Sequence, residues 1–149
     1  MSSTSQLCTF QVDDLEIGID VAAVQEVLKT QHVTQVPLAD PTVAGLVNLR
    51  GQIVTAIDLR VCLQRPACER NESLSLIIRH GAALVCLLVD RVGEVTDVDD
   101  AAFVASPESL DEVTSQLIHG AYRLPNRLLL KLDPSKVVEH VTALHKPSV

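Results

Sequence analysis

Val43-Ala44-Gly45-Leu46-Val47-Asn48-Leu49-Arg50-Gly51-Gln52-Ile53-Val54-Thr55-Ala56-Ile57-Asp58-Leu59-Arg60 reads as two strands joined by a tight turn. Ile53, Thr55, Ile57 and Leu59 share one side of the second strand; Gln52, Val54, Ala56, Asp58 and Arg60 share the other. In the first strand Val47 and Leu49 oppose Leu46, Asn48 and Arg50. The turn falls at Asn48 to Gly51. Asn suits the first position of a type I turn, because its side chain bonds nearby amides. Gly51 suits the left-handed residue of a G1 bulge. Such a turn holds the Arg50 guanidinium out beside a mostly apolar strand.

Short strands continue on both sides. Upstream, Cys8, Phe10 and Val12 alternate with Thr9 and Gln11, Asp13-Asp14 turns the chain, and Leu15, Ile17 and Ile19 alternate with Glu16, Gly18 and Asp20. Residues 1–6 are polar and read as a frayed start. Asp20 suits the cap of a helical turn bearing Val21 and Val24, while Val24–Leu28 fits either more helix or a strand. A connector containing Pro37 and Pro41 leads into the central hairpin.

Downstream, the polar stretch 64–72 with Pro66 reads as a loop and as the seam between two halves. Leu74–Arg79 is a strand, His80-Gly81 a turn, and Ala82–Val89 an apolar strand of the kind buried on both sides. Asp90-Arg91 turns into Val92–Val98, with Gly93 as a bulge. Ser106-Pro107-Glu108 carries the residues of a helix start. Leu128–Leu132 forms a late strand, and Asp133-Pro134 opens a terminal helix with Val137, Val138 and Val141 facing the core. No long helix alternates with the strands, so the chain is mainly β and suited to small barrels.

The chain has 149 residues, 47% of them hydrophobic, with a net charge of −7. That charge argues against a nucleic-acid partner, which needs a Lys/Arg footprint. Phe10, Phe103 and Tyr122 are the only aromatics, too few for base stacking. The start of the chain lacks a charged leader and an apolar core. The longest apolar run, Ala82–Val89, is far short of the ~20 residues of a membrane span. A cytoplasmic location without membrane insertion is expected, with Cys8, Cys62, Cys68 and Cys86 as reduced thiols.

No phosphate loop, dinucleotide fingerprint, zinc-protease motif or nucleophile elbow occurs. His32, His80, His119, His140 and His145 are scattered and read as surface or satisfied side chains. Asp97, Asp99 and Asp100 read as a solvated loop. No catalytic residue, metal or cofactor is expected.

Gly45, Asn48-Leu49-Arg50-Gly51 and Ile57-Asp58-Leu59-Arg60 together resemble the signature of the CheW family, the coupling proteins of bacterial chemotaxis. Thr55-Ala56 stands where that family usually carries Pro-Val. Val24-Gln25-Glu26, after Gly18-Ile19-Asp20, extends the likeness, which covers about Leu7 to Val141. The resemblance implies one CheW-like domain over 1–149, built as two interlocked five-stranded SH3-like β-barrels with short helices, including a C-terminal helix. It implies a short helix and then a strand after Asp20, and, between 99 and 127, an extended loop before a strand ending at Gly120. It further implies an adaptor without catalytic activity, coupling the cytoplasmic tip of a methyl-accepting chemoreceptor to the regulatory domain of the histidine kinase CheA.

Arg50, Val24, Glu26, Val95, Asn48 and Gly51 would then form the partner-binding set, while Gly45, Asp58 and Arg60 would be structural. Receptor helices would lie in an apolar groove between the barrels, oriented by Arg50 and Glu26. Two other readings stay open. One is the same adaptor in a non-flagellar array for twitching or surface sensing; the other is a scaffold-derived binding protein of different function.

Overall fold

A computed structural model describes residues 3–29, 32–66, 74–105 and 116–144. Alternating apolar and polar residues, broken by turn residues, give the strands β1 (Thr4–Val12), β2 (Leu15–Asp20), β3 (Val24–Lys29), β4 (Val43–Leu49), β5 (Gln52–Asp58), β6 (Leu74–His80), β7 (Ala83–Val89), β8 (Arg91–Asp99), β9 (Phe103–Ala105), β10 (Ile118–Leu124) and β11 (Arg127–Leu132). One-turn helix α1 (Leu59–Cys62) follows β5, and α2 (Pro134–Leu144) closes the described chain.

The strands pair into a six-stranded sheet, β8-β1-β2-β11-β10-β9, and a five-stranded sheet, β3-β6-β7-β5-β4. Facing sides of the two sheets share a central core. Phe10, Ile17 and Ile19 come from the first, Ile57, Leu76, Ile78 and Leu87 from the second, and Val137 and Val141 from α2. The opposite side of each sheet wraps a core of its own. Val47, Val54, Ala56, Ile77, Cys86 and Leu88 fill the five-stranded sheet. Leu7, Val98, Tyr122 and Leu129 fill the six-stranded one. This double use explains the unbroken apolar run of β7: Val85 and Leu87 enter the shared core, Cys86 and Leu88 the private one.

Two five-stranded barrels were expected; the described strands instead form open sheets of six and five, whose outer strands do not pair. The passage between sheets also differs from the expected seam. β5 and β6, on either side of 64–72, both belong to the five-stranded sheet. The chain changes sheets between β2 and β3, through a 3₁₀ turn at Val21–Ala23, and again at Asp90 between β7 and β8. The helical turn after Asp20 is therefore present, but the Asp20 side chain makes no capping bond to it.

At the start of the chain, Thr4–Gln6 are not frayed. Thr4, Ser5 and Gln6 pair with Asp99, Val98 and Asp97, and the Ser3 and Ser5 hydroxyls donate to Asp100 at 2.6 and 2.8 Å. Gly120 lies inside β10 rather than at its end, because only a residue without Cβ can pass Phe103 and the Val104 carbonyl there. The register confirms the bulge at Gly93: three residues of β8 span the step that two of β1 cover between Cys8 and Phe10. Pro134 opens α2 at its first turn, and Asp133 Oδ1 accepts from the Ser135 amide at 2.9 Å. The helix start read at 106–108, Cys68 and His145 lie outside the described residues.

Leu59 and Arg60 leave the strand expected of them. Asp58 Oδ1 accepts from the Arg60 amide at 3.0 Å and the Val61 amide at 3.4 Å, so it caps α1 instead of continuing β5.

Cys8, Cys62 and Cys86 are buried free thiols. Burial, reinforced by the Asp58 and Asp40 charges, pushes Cys62 up to about 12. A raised folded value favours the protonated thiol. Its stabilising contribution is complete below the ordinary thiol value of 9.0 and is lost as pH rises toward about 12. Melting temperature is therefore expected to fall through that alkaline window, and Cys62→Ala to flatten the fall; parallel curves for the two proteins would contradict it.

The hairpin tip and its surroundings

Leu49 pairs with Gln52, so β4 and β5 are joined by two residues, Arg50 and Gly51. Both have positive φ, 50° and 88°. This is the mark of a type I′ turn, not the type I turn with G1 bulge expected from the sequence. A two-residue link must twist with its strands, and only the primed turn does so. Asn48 Oδ1 accepts from the Gly51 amide at 2.8 Å and ties the turn down. Asn48 and Gly51 therefore shape the tip, and Arg50 is what it presents.

Arg50 meets Glu26 in a two-pronged ion pair, with Nη1 and Nη2 donating to Oε2 and Oε1 at 2.6 and 2.8 Å. Arg50 is 70% exposed at its side chain and Glu26 19%. The hydrogen bond from Arg50 holds the Glu26 carboxyl below the usual carboxylate range, and the same bond raises the guanidinium. Glu26 is on β3, at one edge of the five-stranded sheet, and Arg50 directly follows β4, at the other. The sheet thus curls until a side-chain fork joins edges that no backbone pairing closes.

Val24 and Glu26, two apart, would share a face in a regular strand. A bulge separates them: Val24 pairs with Ile78 and Glu26 with Ile77. Ile78 lies in the shared core and Ile77 in the private one. Val24 accordingly packs on the shared core while Glu26 turns toward the curled interior. Val95 is on the other sheet. It pairs with Cys8 of the shared core, so it faces the same way, but at the outer strand, where it is 53% exposed. The six expected partner residues therefore divide into a tip cluster of Arg50, Glu26, Asn48 and Gly51, and two valines on faces that meet between the sheets.

Among the described residues, the two most exposed large apolar side chains not picked out from the sequence as contact residues are Leu38 and Ile53. Ile53, beside the tip, is 60% exposed, on the side of β5 that Ile57 buries in the shared core. Leu38 is fully exposed at φ 62°, after Pro37, in a turn closed by the Ala39 amide on the Val36 carbonyl at 3.3 Å. That is a type II turn, whose third position favours Gly or Asn. A Leu held there was the available sequence signal.

Gly45, Asp58 and Arg60 each make close contacts within the fold. A Cβ at Gly45 would sit 2.2 Å from the Thr34 carbonyl oxygen. Arg60, whose side chain is only 12% exposed, forks onto Asp90, with Nε to Oδ1 at 3.0 Å and Nη2 to Oδ2 at 2.6 Å. Among the described residues no group of three His, Cys, Asp or Glu side chains is placed to hold a metal ion, and no helix is long and apolar enough to cross a membrane.

The family model for the CheW-like domain matches residues 6–142. The chemotaxis protein CheW of Bacillus subtilis is 31% identical over 135 residues, covering 90% of this chain and 86% of that protein. CheW of Treponema pallidum is 29% identical, covering 89% and 81%. The crystal structure of the scaffolding protein TtCheW from Thermoanaerobacter tengcongensis has a similar fold, with TM-score 0.79 and 22% identity over 88% of this chain and 90% of that one. The hairpin that carries Asn48-Leu49-Arg50-Gly51 thus belongs to a chain that is a member of the CheW-like domain family.

Proposed function

We propose that this chain is a coupling adaptor of bacterial chemotaxis, working by binding rather than by catalysis. Its partners are the helical cytoplasmic tip of a chemoreceptor and the regulatory domain of the kinase CheA. Coupling means holding both so that the receptor's state biases the kinase, which requires only that the bound surfaces differ in affinity between states.

The observation that carries this reading is the Arg50–Glu26 fork, set out on a rigid two-residue turn with Ile53 beside it. A planar guanidinium already oriented by one carboxylate can offer its outer edge to a second acceptor with little further ordering. Val24 and Val95, on faces turned toward the junction of the sheets, would supply the apolar area that helix-in-groove recognition uses.

Arg50→Asp is expected to abolish capture of a receptor-tip helical hairpin while leaving the melting curve nearly unchanged, since an exposed ion pair contributes little to stability. The reversed pair, Arg50→Glu with Glu26→Arg, separates contact from scaffolding. It is expected to restore the fork but not the binding. Equal receptor capture by Arg50→Asp, or a collapsed fold, would remove Arg50 from the site.

A further inference from the structure

The six-stranded sheet carries a second feature, whereas the hairpin tip belongs to the five-stranded one. Leu7, Thr9 and Gln11 share one face of β1. Leu7 packs into the private core of that sheet, but Thr9 and Gln11 line an open cavity of about 420 Å³, a size in the range of small-molecule sites. Glu16 of β2 and Arg127 of β11 form one wall and are paired to each other, Nε to Oε2, at 2.8 Å. Arg91 and Glu94 of β8 form the other.

Residues three apart on a regular strand point to opposite faces. The β8 bulge cancels that alternation and brings Arg91 and Glu94 to one cavity. It is fixed from below, where the Thr9 hydroxyl donates to the Glu94 carbonyl at 2.7 Å and Gly93 leaves no Cβ to displace it. Among the described residues neither the Arg91 nor the Glu94 side chain takes part in an ion pair. One cation and one anion, both exposed, thus line the same polar cavity without an ion pair among the described residues, while the second such couple, Glu16 and Arg127, is closed on itself.

We propose that this cavity binds a small zwitterion of dipeptide size, with its carboxylate on Arg91 and its ammonium on Glu94. A purely anionic ligand would meet Glu94 and Glu16 as well as the two arginines, and a purely cationic one the reverse. Only a molecule carrying both charges matches the uncommitted pair. Gln11 supplies a neutral donor and acceptor for the peptide group between them, and the hydroxyls of Thr9 and Thr96, whose protons go to the Glu94 carbonyl, can only accept from its N–H.

Glycylglycine is the probe, titrated into the whole chain by amide-resonance NMR. Saturable shifts are expected at Thr9, Gln11 and Gly93, and Arg91→Gln and Glu94→Gln are each expected to weaken binding about tenfold, the loss of one charge-assisted bond. N-acetylglycine and glycinamide, each lacking one charge, are expected to bind the parent protein as weakly as glycylglycine binds the corresponding variant. The proposal is overturned by an absence of saturable shifts, by shifts that neither variant weakens, or by inorganic phosphate binding as well as the dipeptide. Unchanged melting curves for the two variants exclude misfolding as the cause of a loss.

Discussion

Arg60→Ala is expected to lower the melting temperature by about 10 °C, equivalent to about 3 kcal/mol for a domain of this size. The arginine lies just after the five-stranded sheet, at the start of α1. Asp90 lies at the crossing to the other sheet, and its Oδ2 also accepts from the Asp13 amide of the β1–β2 turn at 2.6 Å. Arg60 Nη1 donates further to the Pro66 carbonyl at 2.7 Å and approaches Asp13 Oδ1 at 3.8 Å. One guanidinium therefore joins three turns drawn from both sheets. Truncation takes the guanidinium away from the half-buried Asp90 carboxylate, and removing one partner of such a pair costs more than the intact pair contributes. Arg60→Lys, which keeps the charge and loses the fork, is expected to fall between parent and Ala. A melt within 2 °C of the parent, taken as about the error on such a shift, would mean that water replaces the fork without loss.

Gly45→Ala is the second large effect, expected at about 3 kcal/mol. The Ala Cβ would fall 2.2 Å from the Thr34 carbonyl oxygen and 2.8 Å from Val33 Cγ1. The nearest atom is backbone and cannot swing aside. Relief requires breaking the reciprocal bonds between Thr34 and Leu46, both 2.8 Å, which lay residues 32–35 along the outer side of β4. Hydrogen exchange at the Leu46 and Thr34 amides should accelerate while the β6 and β7 amides keep their protection. Gly51→Ala is the control. Its φ of 88° is unfavourable for Ala, yet nothing lies within 4 Å of the added carbon, so a loss of only about 1 kcal/mol is expected. Equal losses at the two glycines would show that dihedral strain, not the backbone contact, sets the cost.

Much of this architecture was legible in residue order. Alternation placed the strands, Asn48 and Gly51 marked the turn, and Asp133-Pro134 announced α2. What sequence could not supply depends on pairing. The turn type follows from Leu49 meeting Gln52, which is a register, not a local preference. Asp58 stopped β5 although Leu59 kept the alternation going, because a capping carboxylate and two free amides outweighed one more strand residue. Glu26 and Val24 looked like neighbours on one face until the bulge between them parted the two. The Glu26–Arg50 and Arg60–Asp90 forks join residues far apart in sequence, and both exist only because the sheets curl and dock.

The five-stranded sheet is contiguous in sequence, whereas the six-stranded sheet draws β1 and β2 from the beginning of the chain and β8 to β11 from its later part. On a ribosome, which releases the N-terminal end first, the inner unit has every strand available once β7 emerges. The opening hairpin must meanwhile wait, with both its outer edges unclaimed, for β8 to reach β1 and β11 to reach β2. A translation product that stops after β7 would contain every strand of the sheet that carries the Arg50 tip, but not β8, which carries Val95.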